Sequence, residues 1–482
     1  MEFLSMLIPN SKLTLFDLIL LISYAVICIL IGIISSRHQK DDDYLIAGRK
    51  LGIWGFMASV VASYIGGAAI VAFTAYVYQY GISAMAVFIG TSIGFLLFIP
   101  YAKKLRRIGA EKQLYTFSDW FYYKFNTEVG LLSAIILFIV YFGMLLNQFI
   151  AGSTILAGIS GWSYETALLF SSLIISIYLF AGGFRSVIKT DIFQYIVLFV
   201  VLFILAFVLN GGNETTNVIN GLVDFSDADP VMTIAFLAFG IFIVFQSSEY
   251  WQRVYAAKSE RVVSRGLRGS ALLTLITGFV ICLVGLAAHY HVPGIEPKEA
   301  FAQGLTLLVP SKYIVAGLIL IFAAIMSSAD TQIFVLASSA AMDFFGQLSH
   351  TKSDQKKMMR RTRLFIVLFS LAGFAFAYNF RDLVAVFIFI TGIGFTILPA
   401  AIASFHWKIK NQAAMASFIA GILYVIILVI IAGFQPEPLV FFKDNADLAI
   451  GSIVVSCLFL LIFQQLPEMN GLNSNIKKNT ES

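Results

Sequence analysis

The chain has 482 residues, 59% of them hydrophobic and 12% charged, with a mean hydropathy of +0.88. No soluble core of this size needs that much apolar surface, so a soluble enzyme is excluded and an all-α polytopic membrane protein is expected. The formal net charge of +5 is no nucleic-acid footprint, because the basic residues follow membrane sidedness.

With about 20 apolar residues as the length of one crossing, thirteen spans are expected. They fall near 13–35, 51–78, 82–102, 128–158, 163–181, 184–210, 231–256, 264–290, 312–345, 362–379, 382–406, 412–434 and 447–466. The first is too long for a signal-peptide core and reads as a retained helix. Cys28, Cys282 and Cys457 lie singly inside apolar runs and make no metal or redox spacing.

Of the 32 basic residues, only Lys12, Lys298, Lys312, Arg381 and Lys443 fall on one side, which also carries the acidic loop at 211–230. The other 27 lie in loops such as "AKKLRR", "QRVYAAKSERVVSRGLR" and "KKMMRRTR". The positive-inside rule makes that side cytoplasmic, with the N-terminus outside and the C-terminus inside. The longest pieces between spans are 103–127, 211–230, 291–311 and 346–361. The chain therefore reads as one transmembrane domain, 1–466, with a short cytoplasmic tail at 467–482 and no appended catalytic domain.

Two spans carry a weak point in comparable places. Span 51–78 has Gly66-Gly67 at its centre, and 231–256 has Gln246, Ser247, Ser248 and Glu249. Unwound backbone at membrane depth is tolerated beside a cavity, although a glycine pair also suits close helix packing. Counting 51–78 as the first span and 231–256 as the sixth, the starts are five spans apart. An odd repeat length inverts the second copy, so repeats of about 51–210 and 231–406 are expected, with a site where the broken helices meet.

The ninth span contains "AAIMSSADTQ", residues 323–332. A carboxylate at the centre of a membrane helix costs at least about 2.5 kcal/mol, so Asp330 needs a reason to be there. Ala324, Ser327, Ser328 and Thr331 share one helix face at i, i+3, i+4 and i+7. Two hydroxyls and a carbonyl are uncharged hard oxygens that suit a small monovalent cation. Serines also bond back to the carbonyl one turn earlier. Asp330 borders that face and could serve a neighbouring ion or proton.

Asp191 either joins such a site or pairs at the interface with Lys189 or Arg185. Glu249 either orients an amine on a solute or pairs with Arg253 at i+4. Asn147, Gln148, Tyr64, Tyr141 and Trp251 offer hydrogen bonds and aromatic faces suited to neutral, zwitterionic or cationic solutes. Their plainer role is packing.

Three motifs, "DYLIAGRKLG" at 43–52, "GGFRSVIKTDIFQ" at 182–194 and "AAIMSSADTQIFVLASS" at 323–339, together resemble the sodium:solute symporter family. That resemblance runs over nearly the whole chain and implies the inverted-repeat fold named for a bacterial leucine transporter. One helix precedes the repeats and two follow. It implies an integral, multi-pass protein of the plasma (bacterial inner) membrane that is not an enzyme and imports a small polar organic solute with Na+ by alternating access. Carried over residue by residue, it places Na+ on carbonyls of Ala62, Ile65 and Ala324 and on the hydroxyls of Ser327 and Ser328. In members with a second sodium the further ligands fall at Asp191, Asp330 and Thr331, where Asp330 departs from the serine of several members. The "SSAD" form is similar to that of the choline transporter branch, and "QSSEYWQRVYAAKS" lacks the proline transporters' "QPHI"-type pattern. The residues Tyr64, Gly66, Gly67, Asn147, Gln148, Gln246, Glu249 and Trp251 are expected around the solute. Proton coupling through Asp330 and Asp191 is the alternative, with a transporter-like sensor and an intramembrane aspartyl protease further off. Lipid is the expected surrounding, with no nucleic acid and no obligate protein partner.

Overall fold

The computed structural model describes residues 13–37, 39–208, 230–301, 303–304, 314–348, 354–379, 387–431 and 447–467. The expected acidic loop up to 229, parts of the segments at 291–311 and 346–361, and the tail beyond 467 lie outside the described residues. What is described is helical, apart from turns and one isolated backbone bridge between Leu51 and Ala257. In lipid, a backbone that bonds within its own segment leaves no polar group exposed, which is why apolar runs of this length become helices.

The elements that position the site are α1 (Leu15–Ser36), α2 (Asp41–Ile46), α3 (Ile53–Tyr64), α4 (Gly67–Tyr80), α5 (Ala86–Glu111), α6 (Phe117–Lys124), α7 (Thr127–Ser160) and α8 (Tyr164–Val208). They continue with α9 (Pro230–Gln246), α10 (Ser248–Ala256), α11 (Glu260–His291), α12 (Ile314–Ser339) and α13 (Phe345–Leu348). The chain closes with α14 (Gln355–Asn379), α15 (Phe387–Phe395), α16 (Leu398–His406), α17 (Asn411–Ile431) and α18 (Asp447–Gln465). Local signals set several starts. Thr14 with Asp17, and Thr116 with Asp119, form capping boxes, while Asn126 and Ser259 cap α7 and α11.

Among the described residues, eight helices are long and apolar enough to cross a membrane, or nine if α9 and α10, bent by 48°, make one span. Short helices and fused spans together separate this count from thirteen, Ala69–Glu111 being counted as one. Helical stretches at Ile53–Tyr64, Ile390–His406 and Ile450–Gln465 are apolar but short. The segments expected at 163–181 and 184–210 run on as α8, bent at Gly183.

The outward side chains are those of a body bathed in hydrocarbon. Ile19, Ile22, Val26 and Ile33 of α1, and Leu423, Ile427 and Ile430 of α17, are exposed. By contrast, 94% of the membrane-spanning window of α12 is buried. It packs against α3, α4, α7, α8 and α14 and forms the centre of the bundle. Elsewhere α5 and α9 touch backbone to backbone. A Cβ on Gly90 would lie 2.1 Å from Leu237 O, and one on Gly240 2.2 Å from Val87 O.

Gly183 has φ 56° and ψ −146°, a region essentially reserved for glycine, and an added Cβ would lie 2.7 Å from the Tyr44 ring. The bend sends the second half of α8 alongside α3 and α12. Gly183→Ala is expected to lower stability by about 1–3 kcal/mol, read as a drop in unfolding temperature of the detergent-purified protein. An unchanged temperature would show that the bend is not needed.

Candidate functional site

The first break occurs where the sequence places its glycine pair. The last turn of α3 closes with Ile65 N–H donating to Val61 O at 3.0 Å, and the chain then runs extended through Gly66 (φ −77°, ψ 163°) into α4. Helix ends leave carbonyls without intrahelical donors. Here α12 supplies the donors. Ser327 Oγ lies 3.0 Å from both Ala62 O and Ala324 O, and Ser328 Oγ donates to Ser63 O at 3.2 Å. Ala62, Ile65, Ala324, Ser327 and Ser328 are all at most 2% exposed. The structure thus brings Ala62, Ala324 and Ser327 together, and Ser328 against the Ser63 carbonyl, with oxygen from α3 facing oxygen from α12; Ile65 closes the last turn of α3.

The glycines permit this approach. A Cβ on Gly66 would fall 2.3 Å from Ser328 Oγ and 2.6 Å from Gln148 Nε2, and one on Gly67 2.3 Å from Ile325 Cγ1. Tyr64 points elsewhere. Its ring packs on Phe73 and Phe88, and its hydroxyl lies 2.8 Å from Thr91 Oγ1.

One turn further along α12 stands a group that sequence reasoning put in a cytoplasmic loop. Arg253, on α10, is fully buried and pairs with Asp191, Nη2 to Oδ2 3.0 Å, with both side chains 0% exposed. Its Nε donates to Ser59 Oγ (2.7 Å), and Nη2 also donates to Ser63 Oγ (2.7 Å) and Thr331 Oγ1 (2.9 Å). Ser59 Oγ in turn donates to Asp191 Oδ2 at 2.5 Å. The partner of Asp191 is therefore Arg253 and not Lys189 or Arg185. Arg253 does not pair with the Glu249 carboxylate either, since its Nη1 donates to the Glu249 backbone oxygen at 3.2 Å.

Asp330 faces the adjacent side of α12, as its offset from the serine stripe requires. Its Oδ2 accepts from Tyr178 Oη at 2.7 Å and lies 3.3 Å from Thr190 Oγ1 on α8. One carboxylate oxygen on each acid, Asp191 Oδ1 and Asp330 Oδ1, is buried without a hydrogen-bond partner. The missed residues were Arg253, Ser59, Ser63 and Tyr178. The spacing of Ser59 and Ser63 by one helical turn was the available signal, and nothing local linked them to an arginine 190 residues away.

The second break lies at Ser247, between α9 and α10. Tyr141 of α7 caps the start of α10. Its Oη accepts from Ser248 N–H at 2.7 Å and from Glu249 N–H at 3.4 Å, and it donates to the Glu249 carboxylate. Seven residues along the same face of α7, Gln148 reaches Gly66, so one helix touches both breaks. Gln246 is 1% exposed with both amide atoms unpartnered, and Asn147 Oδ1 is likewise unpartnered. A small cavity beside this break is lined by Thr116, Tyr141, Ser248, Gln252, Ser339 and Asp343. Trp251 is not brought to that opening. It packs on Phe117 with ring centroids 4.1 Å apart and the planes tilted by 50°, and its Nε1 donates to Phe245 O at 3.0 Å.

The profile of the family described as "Sodium:solute symporter family" matches residues 44–421. The chain is 25% identical over 448 residues to the "Sodium/proline symporter" of Staphylococcus aureus strain bovine RF122 / ET3-1, covering 87% of this chain and 86% of that one. The sodium/proline symporter of strain NCTC 8325 matches to the same extent. Among solved structures, a Na+-coupled sialic acid symporter in a substrate-bound outward-open state superposes with a TM-score of 0.77 at 18% identity, covering 94% of this chain and 100% of that one. Mhp1, a nucleobase-cation-symport-1 family transporter in a closed conformation with bromovinylhydantoin bound, gives 0.57 at 11% identity over 86% of this chain and 92% of that one. Both share the fold. With a family profile spanning most of its length, this multi-pass plasma-membrane protein is a transporter and not an enzyme, uses Na+ as its coupling ion, and belongs to the sodium:solute symporter family.

Proposed function

We propose that this protein imports a small polar organic solute together with sodium by alternating access, and that Na+ is held by the carbonyls of Ala62, Ile65 and Ala324 and the hydroxyls of Ser327 and Ser328. The observation that carries this reading is the meeting of the α3 end with the α12 hydroxyls, Ser327 Oγ standing 3.0 Å from Ala62 O. A cation there would replace hydroxyl-to-carbonyl hydrogen bonds by ion–oxygen contacts. It would fasten the first break to α12 more strongly than those bonds do. That favours the state in which the solute enters between the breaks at Gly66-Gly67 and Gln246–Glu249, with Asn147 and Gln148 from α7.

The architecture in this reading is thirteen crossings, N-terminus outside and C-terminus inside, with inverted repeats at 51–210 and 231–406, one helix before and two after, in one domain over 1–466. The Leu51–Ala257 bridge supports it, with Leu51 N–H bonded to Ala256 O at 3.0 Å and Lys258 N–H to Leu51 O at 2.9 Å. The start of the first broken span lies beside the end of the second, as oppositely directed spans require.

Solute uptake into proteoliposomes, with a panel of small polar compounds and with or without a sodium gradient, tests the reading. Ser327→Ala removes one ligand and leaves Ala62 O buried without a donor. It is expected to abolish sodium-driven uptake and to cost about 1–3 kcal/mol of stability. Uptake indifferent both to sodium and to Ser327→Ala would overturn the proposal. Proton coupling through Asp330 and Asp191 is the second reading, favoured by the unpartnered Oδ1 of each acid. Uptake driven by a pH gradient in the absence of sodium selects it. Thr331 is already a partner of Arg253, so a second ion would lean mainly on Asp330.

A further inference from the structure

The small cavity beside α10 stands on the same face of α12 as one of the hydroxyls proposed for sodium. Ser328, Gln332, Val335 and Ser339 fall at i, i+4, i+7 and i+11, a single stripe on a helix of 3.6 residues per turn. Gln332 Oε1 is buried without a hydrogen-bond partner, and Val335 and Ser339 line the cavity. Ser339 thus lies about 16 Å along the helix axis from Ser328, toward the basic loop at 346–361.

Beyond Ser339 the helix changes pitch. Ala340–Phe344 form one π-helical turn, closed by Phe345 N–H donating to Ala340 O. Single turns of this kind recur at functional sites. This one carries Asp343, which is 1% exposed and lines the cavity. Thr116 Oγ1 donates to Asp343 Oδ1 at 2.7 Å and Ser339 Oγ donates to Oδ2 at 2.7 Å. Tyr122 Oη fixes the turn by donating to the Asp343 carbonyl at 2.9 Å.

Two further oxygens belong to residues of the cavity wall and bond to nothing. Ser118 is 0% exposed and Gln252 3%, yet Ser118 Oγ and Gln252 Oε1 have no hydrogen-bond partner. Gln252 Nε2 is held by Ser338 Oγ at 3.0 Å, which fixes the amide. Buried polar atoms without partners are unfavourable until a guest supplies one. The free space takes about one water-sized particle. One carboxylate, three hydroxyls and an amide oxygen are hard ligands that suit a small monovalent cation. A divalent ion gathers more carboxylates, and among the described residues no three acidic, His or Cys side chains are grouped to hold one.

We propose that Asp343, Ser339, Thr116, Ser118 and Gln252 form a second cation site, at which sodium leaving Ser327 and Ser328 rests on its way toward the basic loops. The identity of the ion rests on the sodium-coupled reading above. An arriving ion draws the Thr116 and Ser339 oxygens, now donors to the carboxylate, into its own shell.

Equilibrium binding of radioactive sodium to the purified full chain tests this, with wild type, Ser327→Ala, Asp343→Asn and Ser118→Ala compared. The wild type is expected to bind one ion that Ser327→Ala loses and another that Asp343→Asn loses. Ser118→Ala removes a hydroxyl that bonds to nothing, so its unfolding temperature should not fall. It should nevertheless raise the sodium concentration for half-occupancy of the Asp343-dependent site roughly fivefold. A purely structural role for Asp343 predicts no such change, so Ser118→Ala decides the matter even where Asp343→Asn fails to fold. Sodium binding lost entirely in Ser327→Ala overturns the inference and leaves the sodium reading standing. Binding identical to wild type in both Asp343→Asn and Ser118→Ala also overturns it, with water as the guest. Binding lost in Asp343→Asn but unchanged in Ser327→Ala supports this site and overturns the Ser327 reading instead.

Discussion

Arg253→Ala is expected to cost about 3–5 kcal/mol of stability, because it strips a fully buried carboxylate of its partner. Asp191 would keep a single hydroxyl bond from Ser59, and Ser63 and Thr331 would lose the donor that joins them. Four elements are held at this guanidinium, namely α3 through Ser59 and Ser63, α8 through Asp191, α10 itself, and α12 through Thr331. Thermal unfolding in detergent, with monodispersity on gel filtration, measures the loss. Arg253→Lys should recover only part of it, since an ammonium lacks the planar fork that serves several acceptors at once. The double variant Arg253→Met with Asp191→Asn should recover more than either single change, because it removes the unpaired charge as well as the pair. An Arg253→Ala protein that unfolds at the wild-type temperature would refute the buried pair.

Gly66→Ala should damage sodium binding more than its single added methyl group damages the fold. The added carbon falls 2.3 Å from Ser328 Oγ, on a short side chain, and 2.6 Å from Gln148 Nε2, the tip of a longer one, and both residues are buried with little room to yield. Overpacking of this kind costs about 1–3 kcal/mol. The functional loss should exceed the loss of stability, because the group displaced is a proposed sodium ligand. The expected outcome is a protein that still purifies as a monodisperse species but shows no stabilisation by sodium. Retained sodium-dependent stabilisation in Gly66→Ala would separate Ser328 from the ion.

Much of the candidate site is legible in the sequence. The stripe Ala324, Ser327, Ser328 and Thr331 is a matter of helical periodicity, and α12 does turn that stripe toward α3. Gly66-Gly67 marked a place where no regular helix is favoured, and α3 ends there. Glu249 was legible as a polar residue at a break but not in its pairing. The i+4 rule offered Arg253 as its partner, yet the arginine turns to Asp191, which satisfies its charge in a fully buried place. Trp251 shows the limit of composition. An aromatic beside a break could face a solute or a core, and only the position of Phe117 and Phe245 puts its ring in packing.

The sequence by itself determined that this is a helical membrane protein, where its helices weaken, and which residues bring uncharged oxygen into lipid. Those properties are local, set by apolar run length, glycine and the 3.6-residue period. Tertiary structure alone decided which charges meet. Asp191 and Arg253 lie 62 residues apart, and Ser327 meets a carbonyl 265 residues away. Burial favours each such meeting, because a polar group taken out of water costs free energy until it finds a partner. No local rule names the partner, since it arrives from whichever helix the packing brings alongside.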